Sequence, residues 1–394
     1  LQVSRFYTCG GVLRLASGGI LEKYNFKLFE YSVASFLVTI VFSFGSEAQI
    51  ERPARKIEDV SSISQTTNVK KVIGARIVAA DYTLLKKDFP HLMIKSNNEI
   101  DSWILSNVAL MSESQIGQTK VNTEIVVEQV TRTAFRPPDY KRALVFKVEG
   151  GLIDGKGFGT PNPAQYDHGN GLATLGEMLR EFLYQKLVQR IFDHSASNHK
   201  AVGSYAVIDW GFRVKHADGS TSPAGAILRQ AHSRAIGTYS LLDDKNTLEI
   251  ELLLRKYGVT SAGAYRDRIF ESLNIQGTSD GAIIDFGGFL TVAKFAKPSR
   301  AFYGYKDLIV PGSPEFLQPD PIVRVPLDMW GTTKSGIEDP KLDNPWLWSH
   351  ELAEDFSSGK ANRSDVENHV QNLLGPVEEI FKADSSRRCS AQFR

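Results

Sequence analysis

The sequence predicts an α+β protein of two lobes, a strand-rich N-lobe followed by a mainly helical C-lobe. Three observations lead there. Short β-branched runs fill the first part of the chain, one long amphipathic period (170–192) interrupts them, and helical periods dominate after a break near Gly237–Asp244. The 394 residues carry 46 Lys+Arg against 45 Asp+Glu, a net charge of +1, with 42% hydrophobic residues. That balance argues against a nucleic-acid coat or a polybasic membrane binder, and the charge content against disorder or a polytopic membrane protein. No nucleic-acid partner is expected, no stable membrane span is expected once a leader is removed, and the expected state is a monomer.

In chain order, residues 1–48 read as a leader. Tyr31 to Ser46 is uncharged and largely apolar, Lys23 and Lys27 precede it, and Ser46-Glu47-Ala48 sets small residues where a signal peptidase cuts. A membrane anchor and a buried element of the domain are the other readings of that run, and Arg5 and Arg14 without an acid in 1–20 faintly resemble a transit peptide. Export fits the leader; a cytoplasmic or organellar location fits the alternatives. The two cysteines, Cys9 and Cys389, form no C-x-x-C pair and offer no zinc framework.

Residues 49–69 read as a polar linker, 70–240 as the N-lobe and 241–394 as the C-lobe. Val72–Ala80 looks like a strand or the start of a mixed unit, Ile100–Met111 is helical, and Glu124–Val130 and Ala143–Val148 are strand-like. Leu172, Leu175, Leu179, Phe182, Leu183, Leu187 and Ile191 recur at three- and four-residue steps, so Asn170–Phe192 is the most regular helix. Tyr205–Ile208 and Ala226–Arg229 read as strands around a glycine-rich turn. Leu248–Tyr257 and Tyr265–Leu273 read as helices, and Ala282–Phe286 as a short strand. Lys297–Trp348 is loop-rich, and Val366–Lys382 closes the chain as a helix.

Three clusters carry chemistry. In Gly155-Lys156-Gly157-Phe158-Gly159, three glycines around a lysine let backbone approach an anion while the ammonium supplies a point charge; the Walker A spacing is absent, and a hairpin turn with an exposed lysine fits the same run. Glu181 stands at the edge of the apolar stripe of the long helix, where an acid can hold Lys156, as helix glutamates hold strand lysines in kinases; a solvated helix glutamate fits too. Ile283-Ile284-Asp285-Phe286-Gly287 delivers a carboxylate at a strand end, suited to magnesium, and Asn274, eleven residues upstream across an expected hairpin, offers a second oxygen. His194/His199, His350-Glu351, Ser233 beside His232, and Trp330, Trp346 and Trp348 lack the spacing or context for a metal site, a hydrolase triad or a ligand platform.

Together these runs resemble the selenoprotein O family of kinase-like protein adenylyltransferases. Lys156-Gly157-Phe158-Gly159-Thr160-Pro161 leads through Gly169-Asn170-Gly171 to Arg180-Glu181-Phe182-Leu183, similar to the family's glycine-flanked lysine followed by R-E-F-L. Leu228-Arg229-Gln230-Ala231-His232-Ser233 is similar to its L-R-x-A-x-S strand, and Ile284-Asp285-Phe286-Gly287 to its I-D-Y-G turn. The resemblance covers about residues 155–290. It implies a protein-kinase-like fold that binds ATP in a flipped orientation with magnesium (manganese as a substitute) and transfers AMP to Ser, Thr or Tyr hydroxyls of a protein substrate. Lys156, with Gly157 and Gly159 beside it, would meet the phosphates and Glu181 would orient the lysine. Arg229 and Arg234 would hold phosphates, and Asn274 and Asp285 the metal. Arg234 stands five residues after Arg229 where the family's second basic residue stands seven after the first. Where the family carries Asp-Asn nine residues before the turn aspartate, this chain has Gln276, with Glu271 and Asp280 the closest acids. A γ-phosphate-transferring kinase and an ATP-binding pseudoenzyme, acting as scaffold or maturation partner, are the alternatives.

Overall fold

A computed structural model describes residues 65–116, 125–137, 142–159, 171–215, 221–232, 244–257, 259–261, 275–278, 280–291, 347–369, 377–378 and 381–382. The leader, both cysteines, Tyr265–Leu273, Arg234, Asn274, Glu271, Ser233, Trp330, Trp346 and nearly all of the proline-rich stretch lie outside the described residues. The chain is α+β, built around a large antiparallel sheet with several helices.

The main sheet contains β1 (Thr66–Val72), β2 (Arg76–Ala80), β3 (Leu110–Ser112), β4 (Val127–Phe135), β5 (Ala143–Val148), β6 (Gly151–Lys156), β7 (Ala173–Thr174), β9 (Ser204–Lys215) and β10 (Thr221–Gln230). Its order is β2-β9-β10-β6-β5-β4-β1-β3, with β7 on β10, and every pair is antiparallel. β5 and β6 join through the two residues Glu149-Gly150, where Gly150 takes φ +87°, a conformation that a side chain would strain.

Two helices cover one face. α1 (Tyr82–Asp88) starts on Asp81, whose carboxylate accepts from Leu84 N, and α2 (Asn97–Val108) on a capping box between Ser96 and Glu99. Leu85, Ile100, Ile104, Ile153, Ile208 and Leu228 share that core. The other face takes α3 (Leu175–His194) and α5 (Leu347–Ser357), packed on Val207 and Ile227 through Leu175, Leu179, Leu183 and Leu352. α4 (Asp244–Lys256) meets the far end of α3 in a further core with Tyr184, Leu187, Ile250, Leu254 and Phe286. Around it lie two small sheets: β8 (Lys200–Ala201) beside the hairpin β12 (Gln276–Gly277) and β13 (Ala282–Ile284), and β11 (Val259–Ser261) with β14 (Phe289–Thr291).

Several elements run longer than their apolar periods predict. β1 already begins within the expected linker, β9 extends from the apolar Tyr205–Ile208 to Lys215, and β10 starts at Thr221 inside the expected turn. In β9 the extension alternates buried Trp210, Phe212 and Val214 with Gly211 and Arg213, a two-residue period that the interposed polar residues obscured, and in β10 Ser222 and Ala224 are buried as well. The expected helix Ile100–Met111 is Asn97–Val108 followed by a strand, since Leu110–Ser112 pairs with β1. Among the described residues, no helix is long and apolar enough to cross a membrane.

Candidate functional site

β6 points Asp154 and Lys156, two residues apart, toward α3, and β10 sets Arg229 directly across from Asp154 in register. From α3, Glu177 and Glu181 project on one side, one turn apart. The β12–β13 hairpin ends at Asp285 and turns through Phe286–Gly288.

These side chains meet. Lys156 Nζ donates to Glu181 Oε2 at 2.6 Å and to Asp285 Oδ1 at 2.6 Å, with Glu177 Oε1 at 4.0 Å. Arg229 donates from Nη1 to Glu181 Oε1 at 2.8 Å, so Glu181 holds one cation on each oxygen. The same guanidinium sends Nε and Nη2 to Asp154 Oδ2 at 2.9 and 2.7 Å. A second fork, Arg142 on Glu177 at 2.7 and 3.2 Å, secures the first turn of α3. Arg180 Nη2 donates to Gly287 O, tying α3 to the turn after Asp285.

Lys156, Arg142 and Arg229 are therefore paired with Asp154, Glu177, Glu181 and Asp285 in one buried cluster, and the buried guanidinium of Arg180 adjoins it through Gly287. Glu181 is fully buried, whereas the Asp285 side chain retains 18% exposure and marks the side of the cluster that opens to solvent. Charges this deep persist only when paired, because desolvation would otherwise neutralise them. Burial pushes the Asp154 carboxyl upward, but Arg229 and then His232 outweigh it and hold its pKa at about 2. For Arg229, burial works against the charged form, and Asp154, Glu181 and Asp285 more than restore it. Asp285 adopts φ +68° and ψ 65°, a left-handed conformation unusual outside glycine, and such strain collects where a side chain must be aimed.

The sequence reading put Lys156 in a glycine loop; the structure puts it at the end of a central strand. The glycines around it serve packing. A Cβ on Gly155 would stand 2.7 Å from the Phe158 ring, and one on Gly157, at φ +93°, 2.6 Å from Gly225 O. The N–H groups of Gly157 and Phe158 donate to Arg142 O, and that of Gly159 to Gly171 O, so this backbone is already engaged. An anion here would meet the ammonium of Lys156 and the guanidinium of Arg229 rather than a backbone nest.

The expected hairpin is present, with Gln276 opposite Ile284, while Asn274 and Arg234 fall outside the described residues. Asp280 accepts a hydrogen bond from Thr278 Oγ1 within that turn. The described residues contain no group of three or more His, Cys, Asp or Glu able to enclose a metal. Magnesium asks for less, one or two carboxylates alongside substrate phosphates, and Asp285 is a hard oxygen donor at the open side. His194, set aside as a ligand, stacks on Phe381 with ring centroids 3.9 Å apart.

Sequence reasoning gave no role in the site to Asp154, Arg142, Glu177, Arg180 or His232. Two signals were available: the i, i+2 spacing of Asp154 and Lys156 on a strand, and the i, i+4 spacing of Glu177 and Glu181 on a helix. Arg142 and His232 carried none, because only strand pairing brings them in. No protein-family model matches the chain, and no curated protein matches it.

Proposed function

We propose that the chain is an ATP-dependent protein adenylyltransferase with a kinase-like, two-lobed arrangement, akin to selenoprotein O. The observation that carries this reading is the junction of Lys156 with both Glu181 and Asp285, three residues from distant parts of the sequence. Such a lysine, oriented by a helix acid and set beside a metal-binding aspartate, is what nucleotidyl transfer asks of a protein, since positioning and charge stabilisation do most of the work. Lys156 and Arg229 neutralise charge on the phosphates, and Glu181 keeps both cations in place. Asp285 holds magnesium, which when bound supplies charge neutralisation at the triphosphate. A Ser, Thr or Tyr hydroxyl of a target protein attacks the α-phosphorus, forming the phosphodiester bond as the bond to pyrophosphate breaks; the hydroxyl proton leaves to solvent.

A second reading, an ATP-binding scaffold without turnover, draws on one observation: Asp280, one of the acids nearest the turn aspartate in sequence, is engaged by Thr278 in its own hairpin. Incubation with magnesium and either α- or γ-labelled ATP separates the outcomes. Label retained only from the α position supports adenylylation, and label only from the γ position makes the protein a kinase. Nucleotide-induced thermal stabilisation without any labelled product makes it a scaffold.

A further inference from the structure

We propose that Asp154 is a positioning residue for phosphate recognition, fixing the plane of the Arg229 guanidinium so that it serves the phosphates instead of collapsing onto Glu181; this rests on the nucleotide reading above. Asp154 is 1% exposed, whereas the Asp285 side chain retains 18%, so the part of Asp154 is played through the arginine it holds. Register makes it the direct neighbour of Arg229 across β6 and β10. One of its oxygens receives both Nε and Nη2, which sets the direction of the whole fork. His232, itself 2% exposed and two residues beyond β10, sets Nε2 3.4 Å from the same oxygen.

The consequence follows from what competes for Glu181. That carboxylate is shared, one oxygen for Lys156 and one for Arg229. Without the Asp154 charge, the anions left acting on Arg229 are Glu181, already bonded to Nη1, and Asp285, the two partners of Lys156. The guanidinium would then turn its fork onto Glu181, loosen Lys156 and face the phosphates edge-wise or not at all. Adenosine, which has no phosphate, would not register the change.

The experiment is calorimetric titration of the full chain with magnesium–ATP and, separately, with adenosine, in wild type, Asp154→Asn, Arg229→Ala and the double variant. Asp154→Asn is expected to reduce the ratio of ATP to adenosine affinity roughly tenfold, the size of one charge-assisted contact, with adenosine affinity unchanged. In the Arg229→Ala background the same change is expected to have no further effect. A ratio unaltered by Asp154→Asn, or lowered equally with and without Arg229, overturns the proposal. Should Asp154→Asn not fold, Arg229→Lys replaces it: this variant keeps the charge but has no fork for Asp154 to orient, so the same loss is expected and a retained ratio overturns the idea. Wild-type protein that holds ATP no more tightly than adenosine defeats the nucleotide reading itself.

Discussion

At the residue scale, the buried cluster turns on charges that cannot be removed singly without cost. Lys156→Met leaves fully buried Glu181 with one cation instead of two and removes the ammonium from Asp285, so we expect a loss of about 3 kcal/mol in urea unfolding. A loss below about 1 kcal/mol would mean that Glu181 is paired otherwise in solution. The acidity of Asp154 gives a second measurement. Folding lowers this carboxyl from 3.8 to about 2, so its charge stabilises the fold above the unfolded value and that contribution fades as pH falls toward the folded one. The stability gap between wild type and Asp154→Asn is therefore expected to hold steady from pH 7 to about 5. It should then shrink by up to about 2 kcal/mol on further acidification. Urea midpoints taken down to the lowest pH at which the fold persists would record it, and a gap independent of pH would assign the effect to shape rather than charge.

At the element scale, α3 decides where Glu177 and Glu181 sit, and its surroundings explain what the sequence could and could not reveal. Its three- and four-residue apolar steps made the helix legible, and Thr174 accepting from Glu177 N fixes its start. The same period implied one wet face. Instead Glu177, Arg180, Glu181 and Gln185 are buried with the leucines, because sheet, α5 and the turn after Asp285 enclose the helix and supply partners. Local period reports which side chains are apolar; it does not report which polar ones will be matched by strands far away in sequence. Lys156, Glu181, Arg229 and Asp285 were readable from motif order, whereas Asp154 needed the β6–β10 register to acquire meaning. Gly176 tests the packing of α3 on α5. Gly176 stands in the first turn of α3, and replacing a glycine within a helix by alanine ordinarily gains up to about 1 kcal/mol. Here the added methyl would lie 2.6 Å from His350 Nδ1 and 2.9 Å from its Cα, on α5, so Gly176→Ala is expected to lower the melting temperature. A rise would show α5 seated elsewhere.

For the molecule as a whole, the cluster joins parts that have separate cores. Asp154, Lys156 and Arg229 hang from the large sheet, and Asp285 from a small one that shares its core with α4. α3 runs between, with Leu175–Leu183 in one core and Tyr184–Phe192 in the other. A ligand that engages both Lys156 and Asp285 should thus raise the stability of the entire assembly, by an amount set by its concentration over its dissociation constant. The sign of the charge decides which ligand can do so. Four carboxylates, Asp154, Glu177, Glu181 and Asp285, already crowd the cluster, and a bare triphosphate adds several more negative charges at close range. A divalent cation held by Asp285 would offset part of that negative charge and free Lys156 to meet the phosphates. Magnesium–ATP is accordingly expected to raise the melting temperature by several degrees, while ATP with a chelator, or magnesium alone, leaves it nearly unchanged. Asp285→Asn should abolish the shift with magnesium–ATP. Equal stabilisation by ATP in chelator would mean that the phosphates are neutralised without a divalent cation at Asp285.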